Sequence, residues 1–279
     1  MSAVAVLGAG GLGAAMAARL ADRGHEVRLW NRTSAKAVAV ADDTDGVIAH
    51  DDAADAVAGA DVVLTVLRDA DAVADVLSPL LPGLTGTWVQ ASTVGPAGAR
   101  RLGALAADAG VRYLDAPVSG STQPARQGAL VWLVAGPDDV LDEVRPLLGD
   151  LGSEVQHVDT GTSGGSAVKL AVNAWLSAAT VAISDVLALG DGLGVDHDVL
   201  RAAIGAGPLR MPYAEMKSEL MDAGTYEPGF AVANALKDLE LAADEVAPTP
   251  LLSELAARLR RTVDAGHGEE DVAAVHRVR

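Results

Sequence analysis

Residues 3–13 read AVAVLGAGGLG, in which a short apolar run, Ala3 to Leu7, breaks into Gly8-Ala9-Gly10-Gly11-Leu12-Gly13 and passes straight into the helix formers AAMAARLADRG. A strand, a glycine turn and a helix, followed by a second strand-like run from His25, open a βαβ unit. Gly8 allows the tight turn, Gly10 lets a pyrophosphate approach the backbone, and Gly13 lets the helix pack on the strand. The helix N-terminus, with Gly11 and Leu12 at its start, then faces the negative charge.

The alternation continues to about Asp159: AVAVLG, HEVRLWN, GVIAH, DVVLTVL, TWVQAS, VRYLDAPV, ALVWLVAG and EVQHVD are separated by Ala-rich helical stretches. Several of these runs are apolar on both faces, which predicts an α/β fold with a doubly wound, mostly parallel sheet covered by helices on each side. The last two or three runs sit closer together, near enough to pair antiparallel at one edge. Beyond Asp159 only helical patterns follow. Residues 166–189 contain neither Gly nor Pro, about twice the length of an average helix. A long helix is therefore expected to link a Rossmann domain, residues 1–160, to an all-helical substrate and oligomerisation domain, residues 161–279. Lys169 and Asp185 interrupt that helix and most of its residues are small, which favours burial or a subunit interface over a membrane span. A homodimer or homotetramer is expected.

The chain has 279 residues, half of them apolar, and its single Phe, three Tyr and four Trp leave the core to Ala, Val and Leu. A formal charge of −17, from 38 acids and 21 bases, weighs against a sequence-independent grip on nucleic acid or anionic membrane. An anionic substrate needs a local basic site. Cysteine is absent, which excludes disulfides, thiolate nucleophiles and zinc-thiolate sites. The six histidines show no metal-ligand spacing and no Ser-His-acid pattern, so no metal site is expected. The first apolar run is too short for a signal sequence or a span, and a cytoplasmic location is expected.

Trp30-Asn31-Arg32-Thr33 ends the second strand, where an NAD-preferring site places an acid for the ribose hydroxyls. Arg32 can form charge-assisted bonds with a 2′-phosphate and Asn31 and Thr33 can add neutral ones, so NADP(H) is the expected cofactor. The alternative is a solvated arginine in a surface loop.

Lys169 is the only charged side chain between Asp159 and Asp185. On a helix, Gly165, Lys169 and Asn173 follow at i, i+4 and i+8 and share one face. Such a lysine can stabilise a developing alkoxide and donate its proton, with Asn173 holding the ammonium or the substrate hydroxyl and Gly165 leaving room for the substrate. The plain alternative is a lysine that snorkels to solvent beside a locally bonded asparagine. Ser119, Gly120 and Ser121 end a strand where their hydroxyl and N–H groups can receive a carboxylate, or simply form a turn after Pro117. Leu67, at the end of DVVLTVL, is a further expected cofactor contact.

Three segments narrow the reading: Gln90-Ala91-Ser92-Thr93-Val94-Gly95-Pro96, Asp115-Ala116-Pro117-Val118-Ser119-Gly120-Ser121, and the Gly165, Lys169, Asn173 series. With the N-terminal glycines, with Phe230 and Lys237-Asp238-Leu239, and with Gly266-His267-Gly268-Glu269-Glu270-Asp271, they resemble the β-hydroxyacid dehydrogenase family over nearly the whole chain. Within it, the segments around Asn31-Arg32-Thr33 and Ser119-Gly120-Ser121 are most similar to NADPH-dependent glyoxylate and succinic semialdehyde reductases. The resemblance implies reversible reduction of a short aldehyde acid to its hydroxy acid, with Lys169 as catalytic lysine, Asn173 as its companion amide, and Ser119 and Gly120 in the substrate-carboxylate loop. Thr93 and Lys237 are implied to contact cofactor or substrate, although on its own Lys237 reads as a solvated helix lysine. Two other readings stay open: an imine reductase, whose pattern has Asp or Tyr where this chain has Lys169, and a non-catalytic NADP-binding protein.

Overall fold

The computed structural model describes residues 1–158 and 161–278. They divide into two compact units, Met1–Lys169 and Leu170–Arg279.

The first unit alternates as the apolar runs require: β1 (Ala3–Leu7), α1 (Gly11–Asp22), β2 (Glu26–Trp30), α2 (Ser34–Asp43), β3 (Val47–His50), α3 (Ala53–Val57), β4 (Val62–Thr65), α4 (Ala70–Leu77), β5 (Thr87–Gln90), α5 (Gly95–Asp108) and β6 (Tyr113–Asp115). These six strands form one sheet in the order β3-β2-β1-β4-β5-β6, parallel throughout. The period-two alternation of strand side chains explains why both faces are apolar. Val4, Val6, Val27, Leu29, Leu64 and Val89 point to a core shared with Met16 and Leu20 of α1, whereas Ala5, Leu7, Val63 and Trp88 point to a second core with Val57, Leu77 and Leu102.

The run VRYLDAPV does not stay one strand. It breaks at Ala116-Pro117, and β7 (Val118–Ser119) starts a second sheet with β8 (Leu130–Val134) and β9 (Gly152–His157); α6 (Thr122–Gln127) and α7 (Asp138–Leu151) connect these strands. β7 pairs antiparallel with β8, but β8 and β9 run parallel. The antiparallel pairing is therefore confined to β7, because α7 carries the chain back before β9 begins. Asp115 joins the two sheets: its N–H donates to Ala135 O at 3.0 Å and its carbonyl accepts from Ala135 N at 2.8 Å.

The long helix, α8, runs from Gly164 to Leu193, 30 residues, about 45 Å at the usual rise. It passes through Gly190 and Gly192 and stops at Gly194, whose φ of +69 ends the helical path. It is long and apolar enough to cross a bilayer by length and composition. One side nevertheless buries Ser166, Lys169, Asn173, Ser177, Thr180 and Ser184; the other exposes Trp175, Leu189 and Leu193. In the second unit the end of α8 packs with α9 (His197–Gly205), α10 (Pro212–Ala223), α11 (Val232–Glu245) and α12 (Pro250–Thr262) around Leu187, Leu236, Leu239, Leu255 and Leu259.

Candidate active site

The C-terminal ends of β1 and β4 lie side by side where the strand order reverses, the position at which open parallel sheets bind ligands. Gly8 leaves β1 at φ +123 and a Cβ on it would stand 2.2 Å from Val66 O; one on Gly13 would stand 2.0 Å from Gly8 O. Both positions therefore exclude a side chain. Gly10 is different, since nothing lies within 4 Å of where its Cβ would be. It is the N-cap of α1, no side chain caps that helix, and the first turn holds no acid. The uncapped N-terminus of α1, with open space at Gly10 and no acid in its first turn, fits the diphosphate of a dinucleotide.

Asn31 is braced. Its Oδ1 accepts from Ala9 N at 3.1 Å and its Nδ2 donates to Thr33 O at 3.0 Å, so the amide ties the glycine turn to the end of β2. Arg32 and Thr33 are exposed, and Thr33 makes no capping bond to α2. Lys36, exposed in the first turn of α2, is a second cation close to Arg32 in the chain. The sequence reading passed over it, although a lysine four residues after Arg32 was the available signal.

Leu67 is half-buried; its N–H donates to Ser92 Oγ at 2.8 Å and Ser92 Oγ donates to Thr65 O at 3.2 Å. Gln90, fully buried, accepts from Ser92 N at 2.8 Å and donates to Ser92 O at 2.9 Å. Trp88 Nε1 closes the network on Thr65 Oγ1 at 3.1 Å. Gln90 can both donate and accept here, whereas an ionised acid has no proton for Ser92 O. The half-buried Thr93 sits on the turn this network holds.

Ser119 and Ser121 are half-buried on either side of Gly120, whose φ is +128 and where a Cβ would meet Leu130 Cδ2 at 2.7 Å. Ser121 makes no capping bond to α6, so its hydroxyl is not spent on the helix. Thr122 Oγ1 lies 3.1 Å from the Cβ position of Gly11, which puts the Ser-Gly-Ser loop beside the first turn of α1.

Gly165 requires a correction. A Cβ there would lie 2.2 Å from Leu133 O and 2.7 Å from Asp115 O, so the missing side chain admits strand carbonyls against the helix rather than leaving room for a substrate. Lys169, one turn on, is 9% exposed. One further turn along α8, Asn173 is 1% exposed, with Nδ2 donating to Asp238 Oδ2 at 2.5 Å and Oδ1 buried without a partner among the described residues. Lys237 Nζ lies 3.0 Å from Asp238 Oδ1, a contact that is an ion pair and lacks hydrogen-bond alignment. Asp238, 2% exposed on α11, thus links Asn173 to Lys237. Its signal in the sequence was faint: three residues after Ala235, the acid borders the apolar face of Val232, Ala235, Leu236 and Leu239 without lying on it.

Asp115, 0% exposed, accepts two bonds from Ser166, N–H to Oδ2 and Oγ–H to Oδ1, each 2.7 Å. Burial pushes its carboxyl up from 3.8 to about 6, against the lowering effect of both Ser166 bonds. A raised carboxyl pKa means that the folded state holds a proton which the unfolded chain has lost, so this group's contribution to stability falls as pH rises through 4 to 6. Asp115→Asn removes the titration. Its stability relative to the parent is expected to improve by on the order of 3 kcal/mol between pH 4 and pH 7. Urea melts at the two pH values measure this, and parallel pH dependences for parent and variant would refute it.

A family model described as the NAD binding domain of 6-phosphogluconate dehydrogenase matches residues 3–161, and one described as NAD-binding of NADP-dependent 3-hydroxyisobutyrate dehydrogenase matches residues 163–279. The chain is 33% identical over 290 residues to a probable 3-hydroxyisobutyrate dehydrogenase of Mycobacterium tuberculosis, covering 99% of this chain and 97% of that protein. It is 28% identical over 283 residues to chloroplastic glyoxylate/succinic semialdehyde reductase 2 of Arabidopsis thaliana, covering 98% of this chain and 78% of that one. The solved structure of Mycobacterium tuberculosis 3-hydroxyisobutyrate dehydrogenase with L-serine matches with a TM-score of 0.88 at 30% identity, over 99% of this chain and 98% of that one. Two models in succession account for the chain nearly end to end, and a relative at 33% identity spans it: the chain belongs to the β-hydroxyacid dehydrogenase family, enzymes that use NAD(P) to interconvert small hydroxy acids and their carbonyl counterparts.

Proposed function

We propose that this enzyme is an NADPH-dependent reductase of a short aldehyde acid or oxo acid, of the succinic semialdehyde or glyoxylate type, working reversibly with Lys169 as proton donor. The observation that carries the reading is an ammonium side chain 9% exposed on α8, one turn before an asparagine held by a buried aspartate. Nicotinamide, when bound, supplies the hydride. Lys169 Nζ holds the carbonyl oxygen by charge and hydrogen bonding, and delivers a proton to it as the alkoxide develops. Asn173 is fixed through Nδ2 by Asp238, which leaves its Oδ1 to accept from the ammonium or from the substrate hydroxyl. The Ser119 and Ser121 hydroxyls and the Gly120 N–H receive the substrate carboxylate. Arg32, Thr33 and Lys36 meet the 2′-phosphate, while Gly8, Gly10, Gly11, Leu12 and Gly13 hold the diphosphate side, with Leu67, Thr93 and Lys237 as further contacts. Asn31 acts by bracing the turn. Lys169 weighs against imine reduction, since the imine reductase pattern has Asp or Tyr at that position.

A panel of succinic semialdehyde, glyoxylate, the 3-hydroxyisobutyrate/semialdehyde pair, L-serine and a cyclic imine, followed by NADPH oxidation or formation, tests the reading. The short aldehyde and oxo acids are expected to give the highest kcat/KM. Preference for the cyclic imine, or no turnover across the panel despite NADPH binding, overturns it.

A further inference from the structure

We infer that Asp115 is a positioning residue for Lys169, acting through Ser166 to set the first turn of α8. The inference rests on the proposal that Lys169 is the proton donor.

Asp115 is built into the end of β6. It is fully buried, and its backbone exchanges both hydrogen bonds with Ala135 after β8, so its Cα is held by both sheets of the first unit. From there its carboxylate spans 51 positions of sequence to take the Ser166 N–H and the Ser166 hydroxyl, one with each oxygen. The amides of a helix's first turn have no partner within the helix, and here the partner for Ser166 comes from the sheet. No acid of α8 itself lies in that turn.

Gly165 lets the attachment be close. The strand carbonyls of Leu133 and Asp115 occupy the space where its Cβ would be, so the helix start is clamped on two sides: packed against strand carbonyls at Gly165 and hydrogen-bonded at Ser166. Lys169 follows Ser166 by three residues, on the same side of the helix. A shift or a frayed first turn at Ser166 is therefore transmitted to the Lys169 backbone with no intervening joint. Proton delivery depends on donor and acceptor being within hydrogen-bond reach, and a misplacement on the order of 1 Å can cost a hundredfold in rate. Keeping a carboxylate in a fully buried site is costly, and fixing the helix start gives it a task.

The test measures kcat, KM and NADPH affinity for Asp115→Asn, Ser166→Ala, their double variant and Lys169→Ala. Asp115→Asn keeps an acceptor for the Ser166 N–H but replaces the other oxygen by a donor, so the Ser166 hydroxyl must turn round to accept and the charge that strengthens both bonds is lost; kcat is expected to fall roughly threefold to tenfold with NADPH affinity unchanged within about twofold. Ser166→Ala loses only the hydroxyl bond, and a fall of roughly threefold to tenfold is expected. Because both act through one contact, the double variant should be no slower than Asp115→Asn within about twofold. If Asp115→Asn does not fold, Ser166→Ala carries the test. Parent-like kcat in either folded single variant, or losses that multiply in the double variant, overturns the inference. The two readings fail separately: an active Lys169→Ala removes the proton-donor proposal, whereas an inactive Lys169→Ala beside a parent-like Asp115→Asn removes only the positioning role.

Discussion

Lys169→Ala is expected to lower kcat/KM for the best substrate roughly a thousandfold while NADPH still binds with parent affinity. The size follows from the role: a positioned general acid contributes about 10²–10⁴ in rate, and losing the ammonium also removes the charge that steadies the developing alkoxide. The control is favourable, because alanine is the strongest helix former and the Asn173 contact with Asp238 lies on the next turn. The substitution therefore removes the charge without a reason for α8 to unwind. Steady-state kinetics with NADPH titration by fluorescence measures both quantities. Turnover within about threefold of the parent, roughly 0.7 kcal/mol of barrier, would leave Lys169 without the assigned task.

The second large effect concerns the choice of cofactor. The parent is expected to prefer NADPH in kcat/KM, and Arg32→Ala to lose roughly tenfold to a hundredfold with NADPH while NADH changes little. A charge-assisted hydrogen bond contributes about 1.5–3 kcal/mol, which sets that range, and a 2′-phosphate is the only part of the cofactor pair that such a bond distinguishes. Arg32 is exposed immediately beyond β2, and Lys36 stands on the next turn of chain, so two cations replace the acid that would favour NADH. Asn31 is not expected to behave like Arg32. Its amide is committed to Ala9 and Thr33, and its loss should weaken both cofactors alike. Equal losses with NADPH and NADH in Arg32→Ala, or a parent that works as well with NADH, would remove the 2′-phosphate assignment.

Much of the architecture was legible in one dimension. All the apolar runs of the first unit became strands, the glycine turn lies at the switch point, and the helical second half carries no strand among the described residues. Where the reading erred, a local signal had been outweighed. Pro117 divides VRYLDAPV, since proline supplies no N–H to continue a ladder. The long helix forms as expected and continues past Gly190 and Gly192 to Leu193, because isolated glycines lower helix propensity by only about 1 kcal/mol. Gly165 was read as an opening when it is a contact, because a missing side chain does not reveal what fills its place.

The sequence by itself determined the βαβ order, the cradle at Gly8 to Gly13 and the stripe of Gly165, Lys169 and Asn173, because strand period, helix period and the steric freedom of glycine act over a few residues. Only the tertiary structure decided what holds that stripe. Ser166 meets Asp115 across 51 positions and Asn173 meets Asp238 across 65; both carboxylates are buried. No local period records such contacts. A carboxylate looks the same in a sequence whether it faces water or a helix, and burial, which makes an unpaired one costly, is settled only when distant segments pack.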